Sequence, residues 1–259
     1  VEFAEANTRA YQAYIEEHIN NVSIYLVGGA VREIVRGNET KIKDWDFAVE
    51  AESFYVMREW MKKEGFEIFL ETPQYFTIRA KAPKEGFTFA GRDMSGRTFD
   101  FTLCRTEGEY TDGRHPDEVE VGTIKTDLSR RDFTMNAIAM DRDGNLIDPF
   151  NGAQDIKDGW IRCVGGVARL EEDALRILRA LRFAVQLDFK MSSAIHGFIV
   201  DPDTTKLLEN ISGDRIRDEL TKMFRIDTSE TLWYLNSYPS LTEFIFQGNL
   251  WLEPTTKGR

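Results

Sequence analysis

The sequence predicts an α/β domain built on a mixed β-sheet, followed by an all-helical region. Three observations carry this. Short apolar segments of strand length alternate with amphipathic helical segments up to about residue 165. Gly and Pro punctuate the intervals, most densely in the polar stretch TEGEYTDGRHPDEVE at 106–120. From about residue 170 onward the periodicity is helical only, with Leu175, Leu178 and Leu181 recurring every third position.

The elements follow in order. Residues 3–19 read as an amphipathic helix, with Phe3, Tyr11, Tyr14, Ile15 and Ile19 on one face. SIYLVGG at 23–29 is a strand ending in a double glycine, and AVREIVRG is a brief helix that Gly37 stops. DWDFAVE at 44–50 alternates as a strand does, and residues 52–64 are helical. FEIFLE, YFTIRA and TFDFTLCR supply further strands, and 106–120 is a loop long enough to suggest a functional role. EEDALRILRALRFAVQL, ISGDRIRDELTKMF and SETLWYLNSY read as helices. The expected boundary is Gly165-Gly166, giving a first domain at 1–165 and a helical second domain at 166–259.

Composition narrows the function. With 42% hydrophobic and 12% aromatic residues, the chain has the means to bury a core. It holds 44 acidic against 33 basic residues, a net charge of −11, so any nucleic-acid partner must be met by a local basic patch. Cys104 and Cys163 stand alone, which gives no disulfide framework and no zinc cluster and suits a reducing compartment. No apolar run is long enough to span a bilayer, and VEFAEANTRAYQ lacks the regions of a secretory leader, so a cytoplasmic protein is expected. The opening Val1 suggests that some residues precede it.

Asp44-Trp45-Asp46 is the first chemical signal. In a strand, positions i and i+2 share a face, so two hard oxygen ligands would stand together and suit Mg²⁺ completed by substrate phosphate. Taken alone, such a pair is more often a solvated strand edge. Its context is Gly28-Gly29 at a strand end, where backbone N–H groups can approach phosphate, with Arg32 one turn on as a clamp. Neither a P-loop nor a dinucleotide-binding fingerprint is present, and a triphosphate–metal site is the better reading. His115 reads as a loop residue and His18 and His196 as structural, and no Ser-His-Asp or Cys-His arrangement suggests itself.

YLVGGAVREIVRG followed by KDWDFAV closely resembles the head domain of class II tRNA nucleotidyltransferases and bacterial poly(A) polymerases. CRTEGEYTDGRHP, DLSRRDFTMNAIAMD, LIDPFNGAQDIKDGWIRCVG, EEDALRILRALRF and ISGDRIRDELTKMF resemble later motifs of that family, in the family's order, over roughly residues 22–225. The resemblance implies a polymerase-beta-like nucleotidyltransferase head, an all-α neck, and a body and tail largely absent from this chain. It implies that Asp44 and Asp46 hold catalytic Mg²⁺ and that Asp100 polarises the attacking 3′-hydroxyl. Gly28, Gly29, Arg32, Arg131 and Asp132 would bind the nucleotide, with Asn136 ordering the site. Asp173 and Arg176, three positions apart on an expected single helix, would read the base edge, while Arg179 and Arg182 hold triphosphate or ribose. The expected basic patch is Arg130, Arg131, Arg176, Arg179 and Arg182. Glu33 and Asp214 stand where the family usually has Asp and Glu respectively, so each keeps a carboxylate. The implied activity is template-independent addition of C and A to tRNA 3′ ends from CTP and ATP. Poly(A) synthesis, partial CC or A addition, and a catalytically idle RNA-binding protein are the alternatives.

Overall fold

The computed structural model describes residues 2–107 and 119–247. His115 and most of the 106–120 loop lie outside the described residues. The described chain divides into two compact units: 2–107 with 119–131 and 135–153, and 132–134 with 154–247.

In the first unit, α1 (Glu2–His18) leads to β1 (Ser23–Val27), α2 (Gly29–Val35), β2 (Asp46–Glu50) and α3 (Phe54–Lys63). Strands β3 (Glu67–Thr72) and β4 (Thr77–Lys81) follow, then a hairpin of β5 (Thr88–Phe89) with β6 (Arg92–Asp93), and β7 (Thr98–Leu103). β8 (Arg105–Glu107) pairs antiparallel with β9 (Val119–Val121), so both ends of the stretch expected to be a loop are strand. The segment closes with α4 (Ile124–Ser129), β10 (Ala139–Met140) and β11 (Leu146–Ile147). Seven strands form one sheet in the order β11-β10-β1-β2-β7-β4-β3. β2 and β7 run parallel and the other neighbours antiparallel, so the sheet is mixed, as the alternating pattern predicted.

Strand alternation gives this sheet two different faces. One carries Phe47, Val49, Ile78, Phe99, Phe101 and Leu103, all buried. The Phe47 ring stacks on Phe101 and meets Phe89 and Phe99 edge to face, which uses the chain's aromatic content to fill the core. The other face carries Asp46, Asp100 and Arg79. Ser53 caps α3 by accepting the Val56 N–H at 3.3 Å, and the helix buries Phe54, Val56, Met57, Trp60 and Met61.

The division between units falls in α5 (Gly152–Asp158). Gly165 and Gly166 lie in a turn within the second unit. β12 (Trp160–Ile161) belongs with this unit because it pairs in parallel with β13 (Lys190–Met191). Around them stand α6 (Ala168–Glu172), α7 (Leu175–Leu187), α8 (Ser193–Val200), α9 (Thr204–Leu207), α10 (Gly213–Ile226), α11 (Thr228–Ser237) and α12 (Pro239–Gln247). α10 packs along α7, and Ile177, Leu178 and Leu181 from one and Leu220 and Met223 from the other are buried.

One expectation is corrected here. Residues 171–187 do not form a single helix: α6 ends at Glu172, and Asp173 is extended (φ −142°, ψ 100°) before α7 begins. The cause is local. Asp173 turns its carboxylate back to accept the Leu175 N–H at 3.1 Å, satisfying an N–H in the first turn of α7 that an unbroken helix would have bonded to a backbone carbonyl. Among the described residues, no helix is long and apolar enough to cross a membrane.

Candidate active site

The register of the sheet assembles the acidic site. Asp46 opens β2 and stands directly opposite Asp100 on the parallel strand β7. Partners in register point to the same face, so the two carboxylates are neighbours. Asp44 precedes the strand, which begins only at Asp46, so strand alternation does not place it. Its charge is nevertheless felt at Asp46. Partial desolvation, then the negative charges of Asp100 and Asp44, push the Asp46 carboxyl above its ordinary value, against the opposing pull of Arg131 and Arg79. A carboxylate under such like-charge pressure is one that a cation would relieve.

Sequence reasoning missed Arg79. It lies opposite Asp100 on β4 and grips it with both arms, Nε donating to Oδ1 at 2.7 Å and Nη2 to Oδ2 at 2.6 Å. The alternation of Thr77, Arg79 and Lys81 marks a polar face, but nothing local identifies which carboxylate that face meets.

Beside this row, β1 delivers the double glycine, since Val27 pairs with Asp46. Gly28 has φ +69° and ψ −134°, a conformation open essentially only to glycine. A Cβ there would also stand 3.3 Å from Nη1 of Arg131, so the missing side chain admits that guanidinium. Gly29 begins α2, and a Cβ on it would stand 3.6 Å from Nη2 of Arg32. Arg32 is buried, donating from Nε to Glu33 at 3.1 Å and from Nη1 to the Asn136 side chain at 2.6 Å. Glu33 also accepts from Arg36 at 3.1 Å, so its carboxylate joins the two arginines. Arg131 and Arg130 both clasp Asp127, at 3.0 and 2.5 Å. Burial works against the charge of Asp127, and the two guanidinium groups overcome it and hold its carboxyl below the usual range. Asp127 was not singled out by sequence. Its spacing of three and four residues from two arginines was the available signal.

In the second unit the predicted arginines are each engaged by a carboxylate. Asp132 is buried, accepts the Phe133 N–H at 2.8 Å, and receives Arg179 at 2.6 and 2.9 Å. Arg182 donates to Glu219 of α10 at 2.5 Å and lies over the Phe183 ring, 4.1 Å from its centroid. Arg176 donates to the Arg169 carbonyl at 2.7 Å and to Glu172 at 3.0 Å. Asp173 receives Arg215 at 3.1 Å. The Asp173 and Arg176 side chains are thus held by different partners, Asp173 at the α6–α7 break and Arg176 within α7.

Among the described residues, no group of three or more His, Cys, Asp or Glu side chains is arranged to enclose a metal ion. The donor set at the sheet does fit a divalent ion that takes only part of its shell from protein. Asp44 and Asp46 offer carboxylate oxygens, and Mg²⁺ commonly completes its octahedron with water and substrate phosphate.

Residues 24–162, just over half of the chain, match the model of the poly(A) polymerase head domain. The chain therefore belongs to the family of class II tRNA nucleotidyltransferases and bacterial poly(A) polymerases. It is 38% identical over 212 residues to the CCA-adding enzyme of Lactococcus lactis subsp. cremoris, covering 81% of this chain and 48% of that protein. It is similar in structure to the Bacillus stearothermophilus CCA-adding enzyme in complex with CTP, with a TM-score of 0.66 and 30% identity over 86% of this chain and 48% of that one. A tRNA nucleotidyltransferase complexed with a primer tRNA and an incoming ATP analogue matches at a TM-score of 0.67 and 31% identity, covering 90% of this chain and 61% of that one. The chain spans about half the length of the curated relatives it matches.

Proposed function

We propose that the chain carries the catalytic head and the neck of a template-independent RNA nucleotidyltransferase that adds C and A to tRNA 3′ ends from CTP and ATP. The observation that carries this reading is the register row: Asp46 and Asp100 side by side on parallel strands, with Asp44 two residues ahead of the first. The relatives' ligands, CTP, an ATP analogue and a primer tRNA, indicate which triphosphates and which RNA such a row would serve. The CCA-adding relative matches 81% of this chain, well beyond the head domain, which favours CCA addition over poly(A) synthesis.

In this reading Asp44 and Asp46 ligate Mg²⁺, which when bound stabilises charge on the attacking and leaving oxygens of an in-line displacement. Asp100 faces the same side of the sheet and orients the attacking 3′-hydroxyl. Gly28 and Gly29 let backbone N–H groups approach the triphosphate, and Arg131, seated against Gly28, supplies positive charge there. Arg32 binds the nucleotide beside this turn, with Asn136 ordering it. Asp173 and Arg176 select the base, while Arg179 and Arg182 are held ready by Asp132 and Glu219. Head and neck would correspond to 1–165 and 166–259, and a cytoplasmic location belongs to the same reading.

The test is incubation with tRNA lacking its 3′-CCA and each labelled nucleotide in turn. Incorporation of two C residues and then one A is expected. Long runs of A from ATP alone would replace the reading with poly(A) synthesis, and no incorporation from any triphosphate would overturn it.

A further inference from the structure

The register row continues beyond the carboxylates to a cation that the proposed reaction does not use. Across three adjacent strands stand Asp46 on β2, Asp100 on β7 and Arg79 on β4. The Arg79 fork is bidentate, at 2.7 and 2.6 Å, so it occupies a lone pair on each Asp100 oxygen. Its positive charge also answers Asp44 and Asp46, which lie near enough to add to its hold on the proton. The fork leaves each oxygen a second lone pair but fixes the orientation of the carboxylate, so turning it toward a divalent ion or a hydroxyl weakens the grip of the guanidinium.

Release is feasible. The Arg79 side chain is 49% exposed and that of Asp100 32%, a setting in which solvent screens an ion pair and holds it weakly. On the far side, the register partner of Arg79 on β3 is Leu70, which is itself exposed, so a departing side chain enters solvent without breaking into the core.

We propose that Arg79 is a built-in counter-cation for Asp100: it fixes that carboxylate while the site holds no divalent ion, and its release is coupled to ion binding. The proposal rests on the preceding reading of Asp44, Asp46 and Asp100. Arg79 is then a positioning residue that acts through Asp100. Arg79 offsets part of the row's excess negative charge when no ion is bound, and so opposes the incoming ion.

Mn²⁺ titration followed by electron paramagnetic resonance, on protein without nucleotide or RNA, tests this. Arg79→Gln should tighten Mn²⁺ binding by about 5-fold or more, a typical coupling between linked sites. Arg79→Lys, which keeps the charge but loses the fork, should fall between Arg79→Gln and the parent. In an Asp100→Asn background the gain from Arg79→Gln should vanish, because the carboxylate that Arg79 guards is gone. Unchanged or weaker binding in Arg79→Gln would overturn the proposal. So would a gain that persists with Asp100→Asn, since Arg79 would then act only as a distant charge. Melting curves monitor the fold, and if Arg79→Gln melts early, Arg79→Lys carries the test by itself. Because no RNA or nucleotide is present, a chain that shows this coupling yet adds no nucleotide counts against the proposed function and not against Arg79.

Discussion

Asp46 and Asp127 are both aspartates of the first unit, and their surroundings treat the same charge in opposite ways. Asp46 is raised by desolvation and by two acidic neighbours, and the pull of Arg131 and Arg79 offsets this only in part. Asp127, more deeply buried, is lowered because Arg130 and Arg131 bond directly to it. The difference teaches that burial alone does not decide ionisation: the first carboxylate has a missing counter-charge and the second has its counter-charge built in. Poised chemistry belongs to the first kind of site and structural support to the second.

The largest effect should come from breaking the first. Asp46→Ala should lower nucleotide addition by about 10²–10³ or more, the usual cost of removing one preorganised electrostatic element. The same variant should melt no earlier than the parent, since it relieves like-charge repulsion. Labelled-nucleotide addition and a thermal melt on one preparation check both halves. Early melting would recast Asp46 as a structural residue.

Next in size is the reverse experiment. Asp127→Asn should cost about 3 kcal/mol of stability at neutral pH, because it breaks a buried, doubly paired charge. The sign with pH is fixed by the lowered value. A carboxyl depressed in the folded state contributes stability above its unfolded value, near 3.9, and loses it as pH falls through the folded value. The gap between parent and variant should therefore be full at pH 7 and close as acid protonates Asp127. A gap that stayed constant down to pH 2 would mean that shape, not charge, sets the cost.

The smallest expected effect lies in the second unit. Arg176→Ala should relax discrimination of CTP and ATP against GTP and UTP by ~1–3 kcal/mol, the worth of a good bidentate base contact. Incorporation ratios for all four nucleotides measure it. Slower addition at unchanged ratios would assign Arg176 to bracing Glu172 and the Arg169 carbonyl, the partners it has here.

The two regions were not equally legible in the sequence. The sheet-forming segments and the Gly28-Gly29 and Asp44/Asp46 pairs declare themselves through strand alternation and tight local spacing. Arg79 does not, because its meeting with Asp100 depends on the register of β4 against β7, and registry is settled by the whole sheet. The break at Asp173 was hidden for a different reason. Leu170 and Ala174, both buried, carry the apolar period straight across it, while the departure is made by one side chain bonding to a nearby N–H. The pairing of Arg182 with Glu219 spans 37 positions and follows from the packing of α10 on α7, which no local pattern encodes. Short elements such as α8 and the two-residue strands β10 to β13 fall below the length at which periodicity can be read.

Residues 132–134 belong to the second unit although the chain on either side of them belongs to the first. This tripeptide gives Arg179 its carboxylate, sets the Phe133 ring edge-on to Phe183, and offers the Thr134 hydroxyl to Asp155 at 2.6 Å. No single cut of the chain therefore yields two complete pieces. A proteolytic fragment starting at Gln154 would retain Arg179 and Asp155 but lose the Asp132 carboxylate and the Thr134 hydroxyl that bond to them, and the complementary fragment would carry Phe133 without the Phe183 ring. Exchange of the second unit with that of a relative would have to transplant this tripeptide as well, a splice in the middle of one domain made for the benefit of another.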